Sequence, residues 1–372
     1  MPSRADSMSL NASAPLIAIL KDPGSARRLS DDNWSELIAS ARAANLLGLL
    51  AVRLRQANIP LPRPPRRHLD AVAQLSERQC QSVRWEIHCL QRALGSLRVP
   101  VVLLKGAAYA MSDHPVSHGR LFGDIDILVP REAIGDVELR LMIAGWTSGK
   151  SDAYDQRYYR QWMHELPPMV NVRRGTVLDV HHTILPLTSR HAPDARPIIE
   201  AARPLDGFTS IRVPRAEHLL IHSIVHLLHD GELPNGLRDL FDIDGLIRAG
   251  TRAPDFWQRV EAAATELGLA APTALGLTLA LQLIGSPVPP ETIERLHLRA
   301  GKASSPLLHW LYRQALRPDN EVERDVGARI ARSVIYLRAH WLRMPAHLLA
   351  RHLLYKSAAR LRKTEGSAAG AA

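Results

Sequence analysis

The chain has 372 residues, of which 46% are hydrophobic and 23% are charged. This composition is that of a folded globular protein, and this length allows a sizeable core and two or three domains. Only two cysteines are present, Cys80 and Cys89, which excludes a disulfide framework and makes a reducing cytoplasm the expected compartment. The longest weakly polar run, residues 269–284, is shorter than the ~20 residues that span a bilayer, and no signal peptide is expected.

The net charge of +10 is concentrated near the C-terminal end, because residues 327–364 hold nine Lys or Arg and no acidic residue. Residues 327–364 are predicted to form a helical segment with an apolar side on the core and a basic side in solvent. Contact with nucleic acid or an anionic membrane through this segment stays open, as does an acidic protein partner. The rest of the chain is nearly neutral, so steering of a polyanion to the core is not indicated.

The N-terminal part of the chain is predicted to be mainly helical. Residues 1–30 are polar and irregular and are expected to be disordered. Apolar residues recur at helical spacing over 33–57, and a Pro-rich bridge follows at 60–65. A long helix is then predicted over 67–97, which completes an N-terminal helical region.

A change of pattern at Pro100 predicts an α+β core over residues 98–213. Short apolar runs predict buried strands, and two amphipathic stretches predict helices between them. The strands are expected at Val101–Leu104, Asp124–Val129 and Val177–His181, and the helices at Ala107–Met111 and Glu132–Ala144. From residue 214 to 364 the chain is predicted to be helical again, starting with Glu217–His229 and Gly236–Ala249, and residues 365–372 are expected to form a disordered tail.

Asp124 and Asp126 are the strongest candidates for a metal site. They are two positions apart on one predicted strand, so they project from the same face while Ile125 and Ile127 face a core. Two like charges directed into one space repel each other unless a cation lies between them. Mg²⁺ (or Mn²⁺) takes carboxylate oxygens and leaves room for phosphate. Asp179 has the same relation to its own strand and would complete the site if the two strands are neighbours.

A possible phosphate site precedes these carboxylates. Lys105 and Gly106 end the first predicted strand and open a helix, whose backbone N–H groups would attract an anion. Gly106 permits a close approach of the backbone, while Lys105 and Arg120 could pair with phosphate oxygens.

Taken together, these segments resemble the uncharacterised nucleotidyltransferase family of the DNA polymerase beta-like superfamily. The resemblance is carried by residues 101–106, Arg120 and residues 124–129. Residues 178–181 are similar to the family's third-carboxylate strand, and residues 237–243 are similar to a recurring segment of its helical part. The similarity extends over roughly residues 70 to 250.

The resemblance implies a polymerase-beta-like core with a short mixed sheet between helical regions. It also implies Mg²⁺-dependent transfer of a nucleoside monophosphate from an NTP, ATP being the first expectation, to a hydroxyl-type acceptor on a small molecule, peptide or protein. Asp124 and Asp126 would hold the metal. Asp179 would bind a second ion and assist deprotonation of the acceptor. Lys105, Gly106 and Arg120 would belong to the nucleotide side.

Two departures from the wider superfamily leave an alternative open. Ala107 follows Gly106 where a Gly-Ser or Gly-Gly pair is usual, and 18 positions separate Gly106 from Asp124, which is a longer connection than usual. A non-catalytic nucleotide- or phosphate-binding module of the same fold is therefore the alternative, and an RNA-associated protein using the basic segment is the third interpretation.

Several histidines could contribute to a site. His181 shares the face of Asp179 and could line the acceptor side, and His164 in a loop-like segment is a second candidate. His222, His226 and His229 share one face of a predicted helix at the spacing of metal ligands, but packing or contact with the catalytic cleft is the favoured interpretation over a zinc site. On the next helix, Arg238 and Asp242 are predicted to form a surface ion pair.

Overall fold

The computed structural model describes residues 14–149, 156, 159–160, 162–231, 233–301 and 303–345. Four helices form its N-terminal part: α1 (Ala14–Lys21), α2 (Asp31–Ala43), α3 (Leu47–Gln56) and α4 (Arg63–Leu94). The expectation of disorder over residues 1–30 is wrong for residues 14–28, because α1 and the 3-10 helix Pro23–Arg28 cover them and Leu16 and Leu20 are fully buried. Residues 1–13 lie outside the described residues.

The helix predicted over 33–57 is two helices, because Asn45 adopts a left-handed backbone conformation with φ of 55°. The chain therefore turns at Asn45, between the end of α2 and the start of α3. The long helix α4 begins with prolines in its first turn, where a missing backbone N–H costs nothing. It then runs for 32 residues and contacts both α3 and the sheet-side helices that follow.

Within the described residues, one seven-stranded mixed sheet forms the centre of the fold, in the order β3-β4-β5-β2-β1-β7-β6. Its strands are β1 (Val101–Leu103), β2 (Ile125–Leu128), β3 (Trp146–Ser148), β4 (Met169–Asn171), β5 (Val177–His181), β6 (Arg203–Pro204) and β7 (Ile211–Val213). β2 is parallel to β5 and antiparallel to β1. The predicted fold class, α+β with a short mixed sheet between helical regions, is confirmed.

Helices α5 (Lys105–Met111), α6 (Ile134–Ile143) and α7 (Arg196–Ala201) connect the strands. The four strands that were not predicted from the sequence, β3, β4, β6 and β7, have only two or three residues each. Such short runs carry too little apolar alternation to be recognised. They extend both edges of the sheet and leave β2 and β5 near its middle.

The C-terminal part is helical, as expected. It consists of α8 (Ala216–Asp230), α9 (Gly236–Gly250), α10 (Phe256–Glu266), α11 (Ala270–Leu279) with a π-helical turn over Ala280–Ile284, α12 (Pro290–Ala300), α13 (Pro306–Ala315), α14 (Asp319–Val322) and α15 (Val326–Arg343). α8 contacts α5, α9, α10, α11 and α15. One hydrophobic cluster accordingly joins the N-terminal helices, the sheet and the C-terminal helices. None of the helices described combines the length and apolarity that crossing a membrane needs.

The orientation of α15 differs from the sequence-based expectation. Its exposed side is apolar and contains Val326, Ile330, Val334, Leu337 and Trp341. Arg329 is exposed, but two other arginines turn inward: Arg332 pairs with Asp319 and with backbone carbonyls, and Arg338 donates to the Tyr312 hydroxyl. The prediction of a solvated basic side is therefore wrong for this helix, because carbonyls and carboxylates of α13 and α14 supply partners. Residues 346–364 of the basic segment lie outside the described residues.

Candidate active site

The three predicted carboxylates come together at one end of β2 and β5. Asp126 on β2 lies directly opposite Asp179 on β5, with their Cα atoms in register. Because the strands are neighbours, both side chains leave the same face of the sheet. Asp124 immediately precedes β2, and one carboxylate oxygen from each of the three residues lies within 4.8 Å of the others. Asp124 is exposed, Asp179 is partly buried and Asp126 is buried.

The pKa of Asp179 is raised in this arrangement of carboxylates. Burial raises the pKa of Asp179 to about 7, and the negative charges of Asp126 and Glu165 act in the same direction. Its Oδ1 atom is buried without a hydrogen-bond partner among the described residues. A divalent cation would remove both the repulsion and the unsatisfied oxygen. A set of carboxylate oxygens on one face, partly open to solvent, fits Mg²⁺.

Two nitrogen-bearing side chains lie within hydrogen-bonding distance of Asp126. The Lys105 Nζ atom donates to Asp126 Oδ1 over 2.9 Å, and His181 Nε2 lies 3.0 Å from the same oxygen. Burial alone would raise the pKa of Asp126, but Lys105 and His181 outweigh it and hold the pKa well below its ordinary value. Asp126 is therefore a carboxylate throughout the physiological pH range.

Lys105 lies at the strand-to-helix turn predicted from the sequence, between β1 and α5. The φ of Lys105 is 42°, which lies in the left-handed region and is an unfavourable backbone conformation for lysine. This strained residue marks the junction between β1 and α5. Burial lowers the pKa of Lys105, but the charge of Asp126 and the hydrogen bond to it raise the pKa above its ordinary value. The ammonium group thus enters the carboxylate cluster as a permanent cation.

Gly106 follows in the first turn of α5. A Cβ atom at this position would lie 3.1 Å from the ring of Phe122 and 3.4 Å from Arg120 Nε. The absence of a side chain therefore lets the segment that leads to Asp124 pack against α5, rather than leaving open space for a phosphate. Gly106 was expected to border the ligand directly, but in the structure it borders the side chains of Phe122 and Arg120.

The structure corrects the placement of Arg120. Its Nη1 atom forms an ion pair with Asp242 of α9, and its guanidinium lies 5.6 Å from the centroid of the Tyr109 ring. Burial, with the nearby charge of Arg238, lowers the pKa of Arg120 to about 10. In the described residues it lines a separate cavity, beside Arg248, and not the carboxylate cleft. A buried guanidinium needs a carboxylate partner, and α9 provides one.

The predicted surface pair of Arg238 with Asp242 is accordingly wrong. Asp242 turns inward to Arg120, while Arg238 Nη2 donates to Asp239 Oδ1 over 2.6 Å. Arg238 and Asp242 are both largely buried. Residues 237–243 therefore hold the loop before Asp124 against the C-terminal helices.

Three residues on the other side of Asp126 form a second cluster. His181 Nδ1 lies 3.1 Å from Glu165 Oε2, and the rings of His164 and His181 stack with their centroids 5.1 Å apart. All three line the carboxylate cleft. The sequence indicated the two histidines but not Glu165, because Glu165 reaches the site only through an isolated β-bridge with His181.

Two of the three predicted α8 histidines belong to the cleft. His226 and His229 line it, and His222 is buried close by. Burial lowers the pKa of His222 and of His229 to about 3 each, and that of His226 well below its ordinary value. Among the described residues these three do not form a metal-ligand group. The placement of His226 and His229 agrees with the interpretation of contact with the cleft.

The cleft encloses about 350 Å³ and also receives Arg343 from the end of α15. Arg343 Nε donates to the backbone carbonyl of His229 over 2.5 Å. No local pattern in the sequence indicates this residue, because 164 positions separate it from Asp179. The cleft thus combines a carboxylate cluster with cations on two sides, Lys105 and Arg343.

A family model described as an uncharacterised nucleotidyltransferase matches residues 30–285, which is more than half of the chain. The chain belongs to this family. The match begins just before α2, ends at the π-helical turn, and includes all the strands and the three carboxylates. The resemblance inferred from the motifs is therefore confirmed, and nucleotidyl transfer from an NTP is the general activity that family membership supports. Searches of curated proteins and of solved structures find no match.

Proposed function

We propose that this nucleotidyltransferase moves a nucleoside monophosphate from a Mg²⁺-bound NTP, ATP first, to a hydroxyl group on a small molecule, peptide or protein. The observation that carries the proposal is the convergence of Asp124, Asp126 and Asp179 within 4.8 Å at one cleft. The unsatisfied Oδ1 atom of Asp179 supports it. The cytoplasm is the proposed compartment because both cysteines are free thiols.

Asp124, Asp126 and Asp179 would hold the metal, with Mn²⁺ as a possible substitute for Mg²⁺. Bound Mg²⁺ would polarise the α-phosphoryl group and offset the charge of the triphosphate. The acceptor oxygen then forms a bond to the α-phosphorus while the bond from that phosphorus to the β-bridging oxygen breaks, so that pyrophosphate leaves. The acceptor proton passes to Asp179, which lines the cleft beside the other two carboxylates.

Lys105 is the proposed phosphate contact, because its ammonium group lies inside the cleft next to Asp126. Gly106 contributes by letting the chain pack closely at the same turn. Arg343 lies in the cleft as well and could bind a further phosphate oxygen. His181 and His164 are proposed for the acceptor side, since both line the cleft beyond Asp126 and Asp179. Arg120, paired with Asp242, is not part of this proposal.

The alternative is a binding module that holds a nucleotide or a phosphorylated ligand without turnover. Ala107 after Gly106 and the ion pair of Lys105 with Asp126 are the features compatible with it. An RNA-associated role through the basic segment has less support in the described part, where Arg332 and Arg338 are bonded inside the protein.

The decisive experiment uses each of the four NTPs labelled at the α-phosphate, with Mg²⁺ and a panel of acceptors that includes a cell extract. We expect label to become attached to an acceptor and pyrophosphate to be released, whereas label at the γ-phosphate leaves with pyrophosphate. The matched control is Asp124→Asn, because this exposed carboxylate can be neutralised without disturbing the core. Pyrophosphate release no higher than that of the variant would leave only the binding module.

A further inference from the structure

We propose that His164, Glu165 and His181 form a second metal site, which binds a borderline ion such as Zn²⁺ next to the carboxylate triad. The site is distinct from the proposed Mg²⁺ site, and the inference does not depend on catalytic turnover. One ligand atom from each of the three residues lies within 4.8 Å of the others. Two imidazole nitrogens and one carboxylate oxygen are a common set of protein ligands for zinc.

The backbone holds these ligands in place. Glu165 forms an antiparallel bridge with His181, the last residue of β5. On either side of it, the Leu166 N–H donates to the Val180 carbonyl over 2.9 Å and the His182 N–H donates to the His164 carbonyl over 2.9 Å. The cluster therefore sits on a short extension of the sheet and not on a free loop, which favours a defined ligand geometry.

Two ring nitrogens of this cluster lack a hydrogen-bond partner among the described residues. The His181 side chain is 6% exposed, and its Nδ1 atom makes no hydrogen bond in the described residues although Glu165 Oε2 is 3.1 Å away. His164 Nδ1 is also buried without a partner, and the other ring nitrogen of His164, Nε2, lies 4.0 Å from Glu165 Oε2. Buried nitrogen atoms of this kind are rarely left unsatisfied. A cation between His181 Nδ1 and Glu165 Oε2 would satisfy both.

Asp126 provides the outer support that such a site needs. Its Oδ1 atom lies 3.0 Å from His181 Nε2, on the side of the ring that faces away from Glu165. A metal-binding histidine commonly donates its second N–H to a carboxylate, which fixes the tautomer and the ring orientation. In this chain that carboxylate also belongs to the triad, so His181 connects the two sites.

The types of ligand atom in this cluster favour Zn²⁺ over Mg²⁺. Imidazole nitrogen selects Zn²⁺ and related ions, whereas Mg²⁺ prefers oxygen. Three protein ligands leave the fourth position of a tetrahedral ion open towards the cleft, as in catalytic zinc sites. The competing arrangement is a proton in place of the metal, with a protonated His181 bridging Asp126 and Glu165.

The experiment uses the full chain after dialysis against a chelator and titrates it with ZnCl2 in the presence of excess Mg²⁺, by calorimetry. Titration with Co²⁺ in parallel reports the ligands, since a four-coordinate site with imidazole ligands absorbs visible light strongly and a six-coordinate oxygen site absorbs weakly. Glu165→Gln and His164→Gln remove one ligand each. His182→Asn is the matched control, because this neighbouring histidine lies outside the cluster. Asp124→Asn tests whether the ion is at the triad instead.

We expect one Zn²⁺ to bind to the wild-type chain and strong Co²⁺ absorption to appear. Either ligand variant should weaken binding by at least the 10–100-fold that loss of an outer partner costs. His182→Asn and Asp124→Asn should bind like the wild type. If one ligand variant fails to fold by circular dichroism, the other variant and the wild-type Co²⁺ spectrum decide. No Zn²⁺ uptake in excess Mg²⁺, weak Co²⁺ absorption, unchanged affinity in folded ligand variants, or loss of binding in Asp124→Asn would each overturn the proposal.

Discussion

Asp126 and Asp179 lie opposite each other on the parallel strands β2 and β5, yet their carboxyl groups have opposite pKa shifts. Lys105 and His181 keep Asp126 ionised, whereas burial and the neighbouring negative charges raise the pKa of Asp179 to about 7. Pairs of groups whose surroundings separate their pKa values are the pattern of acid–base sites. In the metal-free protein the pair therefore combines one permanent carboxylate charge with one group that takes up a proton near neutral pH.

The pKa of Asp179 predicts how the stability of the metal-free protein depends on pH. In the folded chain this carboxyl keeps its proton up to about pH 7, whereas in the unfolded chain it loses the proton near pH 4. The unfolded state binds fewer protons in this window, so the contribution of Asp179 to stability is lost as the pH rises from about 4 to about 7. The loss is on the order of a few kcal/mol, at about 1.4 kcal/mol per pKa unit.

Asp179→Asn should remove this loss. The difference in free energy of unfolding between variant and wild type should shift in favour of the variant between about pH 4.5 and about pH 7.5 in the presence of a chelator. Urea denaturation at several pH values measures it, and the comparison cancels the contributions of other titrating groups. Mg²⁺ at the higher pH should restore the wild type. A difference that does not vary with pH would mean that Asp179 is ionised in the folded protein.

Asp124→Asn isolates the metal requirement from stability. Asp124 is exposed, so its replacement should leave the unfolding free energy within about 0.5 kcal/mol. Mg²⁺-dependent NTP turnover should fall by orders of magnitude, since each 1.36 kcal/mol of lost transition-state stabilisation is tenfold in rate. Asp126→Asn is a poorer test because it leaves the buried Lys105 without its partner, and it should destabilise the fold as well.

The control for this experiment is Asp136→Asn, which neutralises an exposed carboxylate on α6, outside the residues that line the cleft. Turnover of that variant should equal the wild-type value. Equal turnover of Asp124→Asn and Asp136→Asn would show that Asp124 does not hold a catalytic ion.

Alternation of apolar and acidic residues was sufficient to predict that Asp124 and Asp126 share a face, because strand periodicity fixes the face on which each residue lies. It also placed Asp179 on the corresponding face of its own strand, but the adjacency of β2 and β5 is a long-range pairing that periodicity does not encode. The position of Lys105 at a strand-to-helix turn was also predictable, since the composition of the chain indicates both the strand before it and the helix after it. The α+β core was recognised from its three most apolar strands, and the family resemblance implied the mixed sheet. Its other strands were too short to be predicted.

What the sequence did not contain was the partner of each charged side chain. Arg120 was predicted to bind phosphate, but it forms an ion pair with Asp242, which is distant in the sequence. Glu165 joins the cleft through one backbone bridge, and Arg343 joins it from the last described helix. On α15 the inward direction of Arg332 depends on carbonyls of other helices. These are long-range pairings, which no local period encodes.

Asp242→Asn tests the structural role of the ion pair between α9 and the loop before β2. Arg120 and Asp242 are 10% and 13% exposed, so the variant leaves an almost buried guanidinium uncompensated. We expect a loss of about 3–5 kcal/mol in the free energy of unfolding. Asp194→Asn is the matched control, because its pair with Arg196 is exposed and should contribute little to stability. Similar losses in both variants would contradict the buried role of Asp242.

Lys105→Met tests whether Lys105 competes with the metal for Asp126. The ammonium group donates to Asp126 Oδ1 over 2.9 Å and is the cation that offsets this charge in the metal-free protein. Methionine keeps the length of the side chain and removes the charge. Without nucleotide, Mg²⁺ should therefore bind the variant more tightly, by about tenfold or more, because a unit charge at hydrogen-bond distance is worth a few kcal/mol even at an effective dielectric constant of 20.

The same substitution should weaken the metal-free fold, since Asp126 would keep the hydrogen bond with His181 and lose the one with Lys105. Mg²⁺ should restore the stability of the variant more than that of the wild type, because binding to the folded state alone adds to its stability. Lys105→Arg retains the charge and should bind Mg²⁺ like the wild type. Calorimetric titration with Mg²⁺ and thermal unfolding with and without the ion measure both effects. If Lys105→Met binds Mg²⁺ more weakly than Lys105→Arg, Lys105 supports the metal instead of competing with it.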